Sequence, residues 1–275
     1  MVTIFQGGLA HSECKIKTNN FVYHIKSANF ADKCHNMMSL EDKLTIVEKR
    51  LHDAFDDHEL QKRLLKEDYE KLANSKKIYR FNKGDIIFDD GEQPKGVYFI
   101  SKGTAKLSKS GVYGKDQILR FIKEGDLIGY RSLLVDESFQ ARAEAMTDVE
   151  AIFVPSDVFI YLLEVDSKLS YAMLQKIAYE LGESSNTITF LAQKTVRERL
   201  AEILLLLELK LGTDPEGFIK IALTREEIAN LIGTATESAI RLISEFKSDK
   251  LIEVDGRNIK ILNREKLIKL GHVIM

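Results

Sequence analysis

Cysteine is scarce: Cys14 and Cys34 are the only two in 275 residues. Two thiols exclude a disulfide framework and point to a reducing, cytoplasmic setting. No run of 18 apolar residues exists, so nothing is expected to span a membrane. The opening MVTIFQGGLAHSECKIK lacks the charged leader and apolar core of a signal peptide. No nucleophile–base pairing, metal triad or phosphate loop stands out, and Gly111-x-x-Gly114 reads as a hairpin turn, so no enzyme is expected. An excess of one charge is also missing. The net charge is −2, and residues 195–275 carry as many Lys and Arg as Asp and Glu. That balance argues against tight non-specific nucleic-acid binding. It leaves room for local positive charge if Arg225, Arg241, Lys247 and Arg257 share one face.

What is present is most legible in LTREEIANLIGTATESAIRLISEFKS, residues 223–248. Ile228, Leu231 and Ile232, then Ala239, Ile240, Leu242, Ile243 and Phe246, recur at helical spacing. Thr224-x-x-Glu227 is a capping box, and Thr234-x-x-Glu237 reads as a second. Ala229, Gly233 and Ala239 are small where crossed helices must approach. The pattern predicts a helix-turn-helix, whose second helix enters a major groove; two capped helices of a small bundle are the alternative. Leu251–Val254, Asp255-Gly256 and Arg257–Leu262 then read as a hairpin, which completes a winged helix.

The length suggests two domains. Residues 1–60 form an N-terminal extension read as partly helical. Its early part shows no clear periodicity, and Leu40, Leu44, Val47 and Leu51 predict helix from Ser39 to Lys66. From Ile78 to Pro155, short strand-like runs alternate with turns at Gly84, Gly91, Gly103, Gly111–Gly114 and Gly125, which argues for an antiparallel barrel or sandwich. A short helix is expected through Val158–Glu164 and a long one from Ser167 to Gln193. Leu174, Ile177, Leu181, Ser184, Ile188 and Leu191 follow a 3-4-3-4-3 rhythm, a coiled-coil seam with one polar position. A seam needs a partner, so a parallel homodimer is expected; packing of the stripe on its own barrel is the alternative. Thr195-x-x-Glu198 caps a further helix through Leu211, ended by Gly212.

Barrel, long helix and winged helix-turn-helix, in this order over residues 60–262, resemble the Crp/Fnr family of bacterial transcription regulators. Gly84-Asp-Ile-Ile-Phe, Gly96–Gly103, Gly125-Asp-Leu-Ile-Gly129 and Gln193–Ala201 carry the local likeness. The resemblance implies an α+β chain with a sensor barrel at 61–165, an eight-stranded double-stranded β-helix over about 78–155. A dimerisation helix at 166–193 and a DNA-binding domain at 194–275 would follow. It implies homodimeric binding to a palindromic site in double-stranded DNA, with activation through contact with RNA polymerase. The family's base readers fall on Glu237 and Arg241, whose chemistry suits cytosine N4 and guanine O6/N7. The alternatives are that Glu237 only closes its capping box and that Arg241 grips a phosphate. Thr236 stands where cAMP receptor protein has a third reader, an arginine, and Ile240 where the fumarate–nitrate regulator has serine. Thr224, Arg225 and Arg257 are expected at phosphates.

The sensor departs from the cyclic-nucleotide pattern. In Gly129–Arg142, Tyr130 replaces the ribose-binding glutamate, and the phosphate arginine's place falls on Phe139 or Gln140. Burying a phosphate without a cation is costly, so cAMP is not expected. Tyr130, Arg131, Gln140, Arg142, Ser184 and Ser185 are the candidate effector pocket, Ser184-Ser185 standing where a Thr-Ser pair meets adenine. Gly182–Thr187 are poor helix formers, a reasonable place for a switch. The four cysteines of the family's iron–sulfur branch are lacking. Cys14, His24, Cys34 and His35 match no strong zinc spacing, and neither metal nor haem is expected. The rival reading is a ligand-binding module that regulates a protein partner instead of DNA.

Overall fold

The computed structural model describes residues 3–6, 13–18, 21–26, 57–111 and 114–273, and the chain divides into two compact units, Met1–Lys49 and Arg50–Met275. The first unit holds an antiparallel sheet of β1 (Thr3–Gln6), β2 (Glu13–Thr18) and β3 (Phe21–Lys26), in that order. This corrects the reading of the early residues as unpatterned, while the helix expected from Ser39 to Lys66 is described only from Asp57 onward, where it is helical through Arg63. Phe21-Val-Tyr-His-Ile-Lys is rich in β-branched and aromatic residues, and Asn19-Asn20 before it is a turn-type pair. Leu40, Leu44, Val47, Leu51, Cys34 and His35 lie outside the described residues. Cys14 is registered opposite Ile25 and His24 opposite Lys15, so the two are not cross-strand partners.

The second unit begins with α1 (Asp57–Arg63) and α2 (Lys66–Ser75). Eight strands follow: β4 (Lys77–Phe81), β5 (Ile86–Phe88), β6 (Gly96–Lys102), β7 (Ala105–Ser110), β8 (Asp116–Ile122), β9 (Leu127–Ile128), β10 (Arg142–Ala145) and β11 (Val149–Pro155). They form two four-stranded antiparallel sheets, β5-β10-β7-β8 and β4-β11-β6-β9. Seven of these strands match the runs expected between the turns: Tyr79–Phe81, Ile86–Phe88, Gly96–Ile100, Thr104–Leu107, Gln117–Ile122, Leu127–Gly129 and Glu150–Val154. The eighth, β10, reads Arg-Ala-Glu-Ala, with no β-branched residue, and only pairing with β5 and β7 makes it a strand. Gly103 shows why glycine punctuates the barrel: φ is +92°, and a Cβ would lie 2.2 Å from the Asp148 carbonyl oxygen.

Between the sheets lie Ile100, Ala105, Ile122, Ile128, Ala143, Ala145 and Ala151, all buried, with Phe139 stacked on Phe88 at 4.0 Å between ring centroids. Two helices close the barrel's other side, α4 (Ser156–Val165) and α5 (Ser167–Gln193), after a one-turn α3 (Tyr130–Leu134). Leu60 and Leu72 of α1 and α2 pack with Phe159, Leu162 and Leu169 of α4 and α5. Asp166 caps α5 by accepting the backbone N–H groups of Lys168 and Leu169 at 3.0 and 3.3 Å. Arg63 grips the other oxygen of Asp166 through Nε and Nη2 at 3.0 and 2.9 Å.

The last part contains α6 (Val196–Leu211), α7 (Arg225–Ile232), α8 (Thr236–Ser248), the hairpin β12 (Ile252–Asp255) and β13 (Asn258–Ile261), and α9 (Arg264–Gly271). The boxes Thr195–Glu198 and Thr224–Glu227 form with both reciprocal hydrogen bonds. The box expected at Thr234–Glu237 does not. α8 begins one residue late, with Ala235 as an N-cap that has no side-chain acceptor, so Glu237 is released from capping. Gly233 closes α7 at φ +62°, a left-handed conformation that favours glycine. Asp255 pairs with Asn258, so the two-residue turn is Gly256-Arg257, one position later than predicted. No helix among the described residues is long and apolar enough to cross a membrane.

Candidate nucleic-acid interface

The amphipathic sequence of α8 sets its orientation. Ala239, Ile243 and Phe246 are buried against α6 and α7, which leaves Glu237, Ile240, Arg241 and Ser244 exposed. Glu237 and Arg241 stand four residues apart, one turn, on this free face. Among the described residues, Arg241 makes only a long contact to Ser238 Oγ, 3.4 Å from Nη2. Thr236 opens the helix and is half-buried. Arg197 of α6 holds the far end of α8, pairing with Glu245 and, at 3.3 Å, with Asp249, and lying 5.2 Å over the Phe246 ring.

The predicted phosphate contacts part ways. Arg257 is exposed at the wing turn. Arg225 turns to the wing and donates from Nη2 to the Gly256 carbonyl at 3.0 Å, and Lys247 donates to the Val254 carbonyl at 3.4 Å. These two cations brace the hairpin. The Thr224 hydroxyl is also committed: it donates to Glu227 Oε2 at 3.1 Å and accepts the Glu227 N–H at 3.1 Å. Of the four charges expected together, three gather at the wing, Lys247 reaching it from the last turn of α8, and Arg241 stands apart on the free face of that helix.

Helix α5 carries two apolar stripes. Leu169, Ala172 and Met173, with Lys176, face the barrel. Leu174, Ile177, Leu181, Ser184 and Ile188 are exposed in the protomer, Leu181 and Ile188 each by 68%. The alternative that the predicted stripe packs on its own barrel is therefore wrong for these five. Leu191 departs from the stripe: it is half-buried, and its Cδ2 lies 3.2 Å from where a Gly233 Cβ would be. Gly182–Thr187 remain helical, with the Ser184, Ser185 and Thr187 hydroxyls donating to carbonyls four residues back at 2.9 to 3.1 Å.

The candidate effector residues do not converge. Gly129, at φ +86°, turns Tyr130 inward and leaves Arg131 exposed, 4.0 Å from Glu137. Gln140 is exposed, and Arg142 is held bidentately by Asp89 at 2.8 and 3.0 Å. Ser184 and Ser185 are exposed on α5.

Tyr130 instead joins a buried cluster that sequence reasoning missed. Its hydroxyl donates to Glu180, which Lys176 also contacts at 2.9 Å and Arg120 of β8 at 3.4 Å. Asp126 completes the set, 3.6 Å from Lys176 and 3.8 Å from Arg120. Burial pushes the Tyr130 phenol far up, reinforced by the Glu180 carboxylate. Burial also works to raise Glu180, but Arg120 and Lys176 outweigh it and hold that carboxyl below its ordinary range. The one local signal was the i,i+4 spacing of Lys176 and Glu180.

A cyclic nucleotide-binding domain model matches residues 78–166, and a Crp-like helix-turn-helix domain model matches residues 198–270. The fumarate and nitrate reduction regulatory protein of Vibrio cholerae is 28% identical over 194 residues, which span 70% of this chain and 77% of that one. The CRP-like cAMP-activated global transcriptional regulator of Mycobacterium tuberculosis is 26% identical over 191 residues, 69% and 85% of the two chains. The structure of FixK2 from Bradyrhizobium japonicum shares the fold, with a TM-score of 0.63 at 22% identity over 73% of this chain and 99% of that one. With barrel, long helix and exposed recognition helix in the same order, the chain belongs to the Crp/Fnr family of DNA-binding transcription regulators.

Proposed function

We propose that this regulator works in the cytoplasm as a homodimer on a palindromic DNA site, with the two α5 helices side by side. The observation that carries the reading is the double face of α5, one stripe buried on the barrel and one left bare. A bare apolar stripe of that length calls for a matching surface, and a second copy supplies an identical one. Each α8 would enter a major groove, the pair about 34 Å apart. Glu237 and Arg241 would read base edges, with Thr236 beside them. Arg257 would meet a phosphate, while Thr224 and Arg225 act indirectly, through the α7 cap and the wing. Contact with RNA polymerase would turn binding into activation. The sensor, dimer helix and reader correspond to 61–165, 166–193 and 194–275.

A cyclic nucleotide does not fit the residues present in the barrel. Phe139, 5% exposed, fills the interior at a position expected for the phosphate arginine, and Arg142 is already neutralised by Asp89. The effector is then of another kind. Selection of bound duplexes from a random pool, with sedimentation of the free protein, tests the proposal. A twofold-symmetric site and a dimer are expected. A strict monomer with no preference for any duplex would overturn it.

A further inference from the structure

The barrel is built into the foundation of the DNA reader. Glu227 divides its two oxygens: Oε2 accepts the Thr224 N–H at 2.8 Å and caps α7, while Oε1 accepts from Lys106 of β7 at 2.8 Å. Lys106 is also 3.2 Å from Glu144, its cross-strand partner on β10. The Lys106 and Glu227 side chains are only 13% and 16% exposed. Burial works to raise Glu227, yet Lys106 and the Thr224 backbone hold it below its ordinary range. At the other end of α7, Gln117 of β8 donates to the Leu231 carbonyl at 3.3 Å. Between these polar ends, Ile118, Phe121 and Met146 of the barrel join the same apolar core as Ile228, Leu231 and Ile232. Helix α7 is thus held at its first turn, middle and last turn by the barrel of its own protomer. The free face of α8 is left open, so the contact orients the reader without covering it.

We infer that Lys106 and Gln117 are positioning residues for DNA reading: they dock α7 on the barrel and so preset the direction of α8. This rests on the DNA-reading dimer proposed above. A docked α7 needs less ordering on binding, and it confines the separation of the paired α8 helices to a narrow range.

Lys106→Met keeps the apolar stem and removes the charge; Lys106→Arg keeps the charge. Gln117→Leu removes a neutral contact only, and serves if Lys106→Met does not fold. The readouts are affinity for the selected duplex, affinity for versions with half-sites one or two base pairs closer or farther apart, and amide exchange in α7. Lys106→Met and Gln117→Leu are expected to bind about tenfold more weakly. They should also tolerate altered spacing and exchange α7 amides faster, with Lys106→Arg near wild type. Unchanged affinity and spacing preference would overturn the inference, and so would tighter binding, which would make the contact a brake. If wild type binds no duplex, the DNA reading fails by itself; α7 exchange then still decides, faster in Lys106→Met upholding the docking and unchanged refuting it.

Discussion

Replacing Glu180 by Gln tests how the long helix is fastened to the barrel. The change keeps size and shape but leaves Arg120 and Lys176 with one carboxylate, Asp126, between them. Removing one partner of a fully buried pair costs about 3–5 kcal/mol. Lys176 is only 7% exposed, but Glu180 and Arg120 are each 30% exposed, so the lower end applies, about 3 kcal/mol. For a unit of this size that is a fall of about 6–12 °C in Tm, measured by scanning calorimetry near neutral pH. Because the Glu180 carboxyl is held below its ordinary value of 4.5, its contribution is complete above that pH and is lost as the pH falls through the lowered value. The gap between wild type and Glu180→Gln should therefore close in acid. The double change Lys176→Met with Glu180→Met leaves Arg120 and Asp126 balanced, and should cost less than Glu180→Gln alone. A Glu180→Gln protein melting within about 2 °C of wild type, or a gap that ignores pH, would refute the reasoning.

Phe246→Ala should destabilise the winged domain by about 3–5 kcal/mol, seen as an earlier denaturant transition, because the ring is fully buried and also lies beneath Arg197. Leu181→Asp places a charge on the bare stripe of α5; sedimentation should show a monomer whose fold is intact by circular dichroism. Arg241→Ala should cost about 1–3 kcal/mol of DNA affinity and relax preference at one base pair, measured by competition among site variants. A uniform loss across all sequences would assign Arg241 to a phosphate.

Much of the fold was legible because its signals are local. Thr195 and Thr224 with their paired glutamates, the 3.6-residue rhythms of α5 and α8, and the glycines between strands all act within a few residues. The sheet β1–β3 was missed although Phe21–Lys26 carries such a signal, and the other departures were set by packing. Strand β10 is a strand only because β5 and β7 flank it, and α8 is capped at Ala235, one residue beyond the expected Thr234. The face of α8 was readable, since its buried residues determine what is left outside.

The sequence alone determined which segments from the barrel onward would be helix, strand and wing, and that Glu237 and Arg241 would share one face of the recognition helix. Only the tertiary structure decided the partners of the buried charges. Arg120 and Glu180, or Lys106 and Glu227, are far apart along the chain, and nothing near either residue specifies the other. Tertiary packing likewise turned Arg225 to the wing and filled the barrel with Phe139. Hydrogen bonding and periodicity within an element are short-range properties of the chain. Ion pairing and core filling depend on which surfaces meet after the elements have formed, and so become visible only in the folded protein.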